Sequence, residues 1–222
     1  MCGRFTLRTP AKVLAELFDV ANVPDREPHY NIAPTQAVAV VRLQAGGEGR
    51  ELARMRWGLI PAWAGDPAIG NRLINARSET VATKPAFRQA FRSRRCLIPA
   101  DGFYEWERLS GRKQPYYIRL KGDRPFGFAG LWEKWERAEV PIESCTILTT
   151  QANELVGSIH DRMPVIISPD DYALWLDPRC QDSRKLEALL RPFPAAEMTA
   201  CPVSMLVNNP RNDLERCTEA LR

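Results

Sequence analysis

The chain has 222 residues, 45% of them hydrophobic and 26% charged, with a formal net charge of +4. That length suffices to bury one substantial core, so a single compact domain over residues 1–222 is expected. No run approaches the roughly 18 uninterrupted apolar residues that cross a bilayer, and MCGRFTLRTPAK lacks the apolar centre of a secretory signal, so membrane contact is excluded and a cytoplasmic protein is expected.

Along the chain, Thr9-Pro10 followed by AKVLAELFDV reads as an N-cap, a first-turn proline and an amphipathic helix. Pro24, Pro28 and Pro34 predict an irregular stretch, after which AVAVVRL, a turn in AGGEGR, and ELARMRWGL form a hairpin. A loop over 60–70, marked by Trp, Pro and Gly, carries LINARSET on its far side, and a short helix is expected over Pro85 to Ser93. RCLIPADGFYEWERL, the turn SGRKQ, and PYYIRLKG predict a second hairpin. PFGFAGLWEKW and SCTILTTQA add strands, and PDDYALWL and DSRKLEALLR are helical. Short strands at hairpin spacing with helices between and after them predict an α+β fold, a mainly antiparallel, barrel-like β-sheet with flanking helices.

The positive charge is unevenly placed. Between Asn71 and Arg95 lie Arg72, Arg77, Lys84, Arg88, Arg92, Arg94 and Arg95 against Glu79 alone, a local excess of +6, while the rest of the chain sums to −2. Such a segment is either a solvated face or the footprint of a phosphate backbone. The six cysteines show no CxxC pair and no zinc-type spacing, so neither metal nor cofactor is expected, and all but Cys2 read as small buried apolar residues in a reducing compartment.

Cys2 differs because removal of Met1 would leave a free amine and a thiol on adjacent carbons. An α-amine has a pKa of about 7.7–8.0 and is substantially neutral near pH 7, so it condenses with an aldehyde to a Schiff base. The neighbouring thiol then closes a five-membered thiazolidine at high effective concentration. The same group could act as the nucleophile of an amidohydrolase, or Cys2 could be an ordinary thiol near a chain end. His160 in SIHDRMPVII suits proton transfer near neutral pH, or is a structural histidine satisfied by Asp161 and Arg162. Strand alternation in DGFYEWERL puts Phe103, Glu105 and Glu107 on one face and Tyr104, Trp106 and Arg108 on the other. With the Phe103 face inward, Glu105 is a desolvated carboxyl fit for general-acid work; with that face outward it is a solvated glutamate. Asn75 and Arg77 in LINARSET can orient a substrate and clamp a phosphate, or serve as a turn and a surface charge.

MCGRF, YNIAPTQ, RWGLIPAW, LINARSET, CLIPADGFYEW and IHDRMPVI, in this order and across nearly the whole chain, together resemble the SOS-response-associated peptidase (SRAP) family. The resemblance implies a monomeric protein, nucleoid-associated in a bacterium, that senses abasic sites in single-stranded DNA and captures them covalently. Cys2, exposed by loss of Met1, would form the thiazolidine with the ring-opened sugar. Asn75 would hold the reacting end, Glu105 would open the sugar ring and transfer protons, and His160 would assist Schiff-base formation. Arg4 and Arg77 would contact phosphates, Trp106 would stack on or wedge between bases, and Arg162 would join the DNA-binding set. A thiol peptidase that removes its own first residue or cuts other proteins is the competing function, and a non-covalent single-strand binder is a third.

Overall fold

The computed structural model describes residues 2–44, 46 and 49–221. In chain order the elements are β1 (Phe5–Leu7), α1 (Ala11–Phe18), β2 (His29–Ile32), β3 (Ala37–Leu43), β4 (Arg50–Trp57), β5 (Asn75–Arg77), α2 (Arg88–Ser93), β6 (Arg95–Ala100), β7 (Gly102–Leu109) and β8 (Arg112–Leu120). They continue with β9 (Phe126–Trp135), β10 (Ile142–Gln151), α3 (Glu154–Gly157), β11 (Arg162–Pro164), β12 (Ile166–Ile167), α4 (Tyr172–Leu176), α5 (Ser183–Ala188) and β13 (Met198–Pro202).

The expected α+β barrel is present. β4 pairs with β3, β3 with β6, β6 with β9 and β9 with β10, all antiparallel, and β10 returns to β4 in parallel, closing a ring of five strands. β5 lies parallel to β10, while β11 and β12 extend the barrel at β10 and β9. A second, antiparallel sheet runs β13-β8-β7-β1-β2. Its inner face seats on the barrel through aromatic rings. Phe5 meets Trp57 and Phe128 edge-on at 5.2 and 5.8 Å, and Phe103 meets Phe128 at 6.1 Å. Such pairs contribute about 0.5–1.5 kcal/mol each beyond area burial, so Phe128 is a principal lock between the two sheets. The outer face of the second sheet holds a smaller core in which Tyr104 and Tyr117 pack with Val203, Val207 and Cys217.

Several elements depart from the sequence expectation for visible reasons. Thr9 does not cap α1: Pro10 occupies that position, and the Thr9 hydroxyl donates instead to the buried carboxylate of Asp101, which also accepts the Arg8 and Thr9 amides. Asp101 also divides RCLIPADGFYEWERL, so that β6 belongs to the barrel and β7 to the second sheet. The proline-rich stretch contains a four-residue strand, β2, which β1 recruits by pairing. PDDYALWL begins as a 3-10 turn before α4. Within the first hairpin, Ala45, Gly47 and Glu48 lie outside the described residues.

Candidate active site

Cys2 lies three residues before the start of β1 and is fully buried, its Sγ 3.9 Å from the Arg4 carbonyl. Burial pushes its thiol well above the ordinary range, and the Glu105 charge adds to the shift. Met1, whose removal the sequence reading requires, lies outside the described residues.

Asn75 opens β5 and reaches across to this end of the chain. Its Nδ2 donates to the Cys2 carbonyl at 3.0 Å and to the Ile74 carbonyl at 2.8 Å. The Ile74 carbonyl also accepts from Trp57 Nε1 at 2.9 Å and Ile147 N at 3.2 Å, so the barrel fixes the backbone that carries Asn75. Gly58, just after β4, packs against the loop that leads to β5: its φ of 130° belongs to glycine, and a Cβ there would lie 2.5 Å from the Gly70 carbonyl oxygen. Asn75 Oδ1 is buried and has no hydrogen-bond partner among the described residues, which leaves one acceptor for an incoming N–H or O–H.

Glu105 on β7 is 2% exposed and shares the inward face with Phe103, as the first of the two alternation readings required. Burial raises its carboxyl above the ordinary range, and the nearby His160 is among the groups that oppose the rise. His160 sits between α3 and β11, with its amide bonded to the Val156 carbonyl at 2.8 Å. In the neutral ring Nδ1 accepts the Arg162 amide at 3.0 Å, which puts the proton on Nε2. The exposed Asp161 carboxylate stands 2.9 Å from the same nitrogen and pairs with it when the ring is protonated.

Glu105 and His160 open onto a cleft of about 560 Å³ whose other sides come from Gly3, Arg4, Pro34, Trp106, Arg108, Lys113 and Asn208. A larger, more apolar cavity of about 700 Å³ lies against Leu17, Phe126, Ile167 and Phe193 and holds none of the candidate catalytic side chains. Four of the sequence-derived residues, Cys2, Asn75, Glu105 and His160, are therefore linked by hydrogen bonds, mutual charge effects or a shared cleft.

The candidate DNA-binding residues are distributed less evenly. Arg4 and Trp106 line the cleft. Arg4 donates to Asn31 Oδ1 at 2.8 Å and to the carbonyls of Val207 and Asn208, and Trp106 Nε1 donates to Asn208 Oδ1 at 2.7 Å. Arg77 is exposed at the end of β5. Arg162 is buried and held bidentately by Glu79, with both contacts at 3.0 Å, and by the Thr149 carbonyl at 2.6 Å. Within the basic segment, Arg72, Arg77, Lys84, Arg88 and Arg92 are exposed. Arg94 pairs with Glu133, and Arg95 is buried, donating to the carbonyls of Trp175, Phe91, Arg92, Asp177 and Cys180.

Sequence reasoning missed Arg108, Lys113, Asn31 and Asn208. Arg108 carried a readable signal, since it lies two residues after Trp106 on the same strand face. Asn31 is a buried hub: Nδ2 donates to the carbonyls of Val207, Asn209 and Asn212, tying the C-terminal segment to β2 beside Arg4.

Residues 1–210 match the family model described as SOS response associated peptidase (SRAP). The chain belongs to that family. This SRAP chain is 46% identical over 225 residues to the abasic site processing protein YoqW of Bacillus subtilis (strain 168), covering 99% of this chain and 100% of the relative. It is 33% identical to the abasic site processing protein HMCES of Xenopus tropicalis, covering 88% of this chain and 67% of that one. A solved structure of a protein from Bacteroides thetaiotaomicron superposes with a TM-score of 0.88 at 25% identity, over 100% of both chains.

Proposed function

We propose that this SRAP chain acts as a single-domain monomer that processes abasic sites in single-stranded DNA, capturing them as a thiazolidine on Cys2 after Met1 has been removed. The observation that carries this is the convergence of Cys2, Asn75, Glu105 and His160 beside a cleft bordered by Arg4, Trp106, Arg108 and Lys113. The names of the relatives supply the lesion, and the cations with an aromatic face supply the means to hold a strand without regard to its bases.

The chemistry follows from the protonation states. An abasic sugar is mostly a closed hemiacetal, and a carboxyl whose hold on its proton burial strengthens can donate to the ring oxygen as the ring opens to the aldehyde. The free amine of Cys2 attacks that carbon, and loss of water, assisted by His160, leaves a Schiff base. Asn75, bonded to the Cys2 carbonyl, holds the amine's residue in place. The thiol then adds across the C=N bond: sulfur bonds to carbon and its proton ends on nitrogen, so the only molecule lost overall is one water. A thiol that burial keeps protonated brings that proton with it.

The competing peptidase needs a thiolate to attack a carbonyl, and the environment of Cys2 works against that anion. The deciding experiment offers the wild-type chain a labelled single-stranded oligonucleotide with one abasic site and, separately, an unfolded protein substrate. A band that survives denaturation, absent with Cys2→Ala, together with an intact protein substrate is the expected outcome. Cleavage of the protein substrate without any DNA adduct would reverse the assignment.

A further inference from the structure

Arg108 and Lys113 stand directly opposite each other in the β7–β8 register, both exposed. Directly opposed residues project from the same face, with Cβ atoms about 4.5–5.5 Å apart, and like charges so placed destabilise the hairpin. On that face of the hairpin the next pair, Trp106 opposite Pro115, brings no carboxylate to relieve them. Glu107, opposite Gln114, belongs to the other face and is bonded to the Tyr116 hydroxyl. The two cations border the catalytic cleft on one side and, on the other, a depression of about 520 Å³ shared with Arg112 at the hairpin tip. At about 3.4 Å per residue, Arg108 lies about 10 Å along β7 from Glu105 and about 7 Å from Trp106.

We infer that the Arg108–Lys113 pair, with Arg112 beyond it, binds a backbone phosphate of the DNA strand flanking the lesion, so that the hairpin continues the track begun by Trp106. The inference rests on the proposed action on single-stranded DNA. A repulsive pair persists at a cleft mouth when the ligand between its members is anionic, and a non-bridging phosphate oxygen is shared readily by a guanidinium and an ammonium. The pair adds no base specificity, in keeping with a lesion that has no base to read.

The test uses a fluorescent single-stranded oligonucleotide without a lesion, its binding measured by anisotropy across a series of salt concentrations. Each single-strand phosphate contact contributes about 0.7 to the slope of log K against log salt, which is worth roughly five-fold in affinity at 0.1 M. The double variant Arg108→Ala/Lys113→Ala, which removes the one shared contact, is expected to bind roughly five-fold more weakly at 0.1 M salt, with the slope reduced by about 0.7. Lys113→Glu replaces a repulsive opposite pair by an attractive one, so it should weaken binding while raising Tm by about 1–4 °C. Lys12→Glu on α1 makes the same charge change outside the cleft lining and controls for net charge.

Affinity and slope in the double variant that match those of the wild type overturn the inference, as does a loss no larger than that of Lys12→Glu. Failure of the wild-type chain to bind the undamaged strand overturns it too. Covalent capture of an abasic oligonucleotide by the wild type is scored separately. Binding that depends on the hairpin without any adduct supports the phosphate contact and defeats the capture mechanism, whereas adduct formation with hairpin-independent binding does the reverse.

Discussion

Asn31→Ala should weaken the fold and the cleft together, because one carboxamide holds both. Asn31 Nδ2 has two hydrogens and serves the carbonyls of Val207, Asn209 and Asn212 at 3.2, 3.1 and 2.8 Å, while its Oδ1 receives Arg4 at 2.8 Å. Two neutral bonds at about 1 kcal/mol each and one bond to a charged donor at about 1.5 kcal/mol sum to about 3.5 kcal/mol. Water reaches part of the Asn209 and Asn212 carbonyls after truncation, which brings the expected loss to about 3 kcal/mol. For a chain of this size that corresponds to a fall in Tm of roughly 6–12 °C. Urea unfolding followed by tryptophan fluorescence measures it, with the midpoint moving and the slope m unchanged. The same variant releases the segment that carries Asn208, the partner of Trp106, so binding of single-stranded DNA should weaken several-fold under conditions where the chain remains folded. A stability loss below about 1 kcal/mol, or a full loss with unaltered DNA binding, would refute the role of Asn31 as the anchor of the cleft wall.

Glu105→Gln should slow capture strongly while leaving binding to a non-reactive abasic analogue nearly intact. Because burial raises the carboxyl's pKa in the folded state, Glu105 opposes stability as pH rises from the unfolded value, about 4.3, through the raised folded value, and that slope should flatten in the variant. The limb of the rate–pH profile that reports loss of this proton should vanish with it; its persistence would assign the limb to another group. For Glu79, burial works against ionisation, but the Arg162 guanidinium outweighs it and holds the carboxyl below its usual range. Since Glu79 is half exposed, Glu79→Gln should change stability by less than about 1 kcal/mol. If Arg162 meets phosphate, this change should tighten single-strand binding a few-fold, whereas unchanged affinity would confine Arg162 to a structural role beside His160.

Much of this architecture was legible in the sequence. The β3–β4 hairpin announces itself by runs of Val and Leu around a glycine turn, and the β7–β8 hairpin by aromatic alternation around Ser-Gly. β1 and β2 escaped because three- and four-residue strands exist by virtue of their partners, and no periodicity develops over so short a span. The division at Asp101 escaped because a capping carboxylate looks like any loop acid until Arg8 and Thr9 are folded beside it. Among the site residues, Glu105 was readable up to a two-fold ambiguity of strand face, which only tertiary packing could resolve. The basic segment misled in part because composition cannot distinguish an arginine that waits for a phosphate from one, such as Arg95, that organises five carbonyls in the interior. Asn31 stood inside the YNIAPTQ block, but nothing local said what its carboxamide would hold.

The most direct measurement is the intact mass of the wild-type chain before and after reaction with a single-stranded oligonucleotide carrying one abasic site. The account predicts a free chain lighter by one methionine residue and an adduct equal to that chain plus the DNA less one water. It further predicts that the Cys2→Ser adduct, an imine without ring closure, disappears on dilution. A free chain that keeps its methionine, or an equally durable adduct from Cys2→Ser, would contradict it.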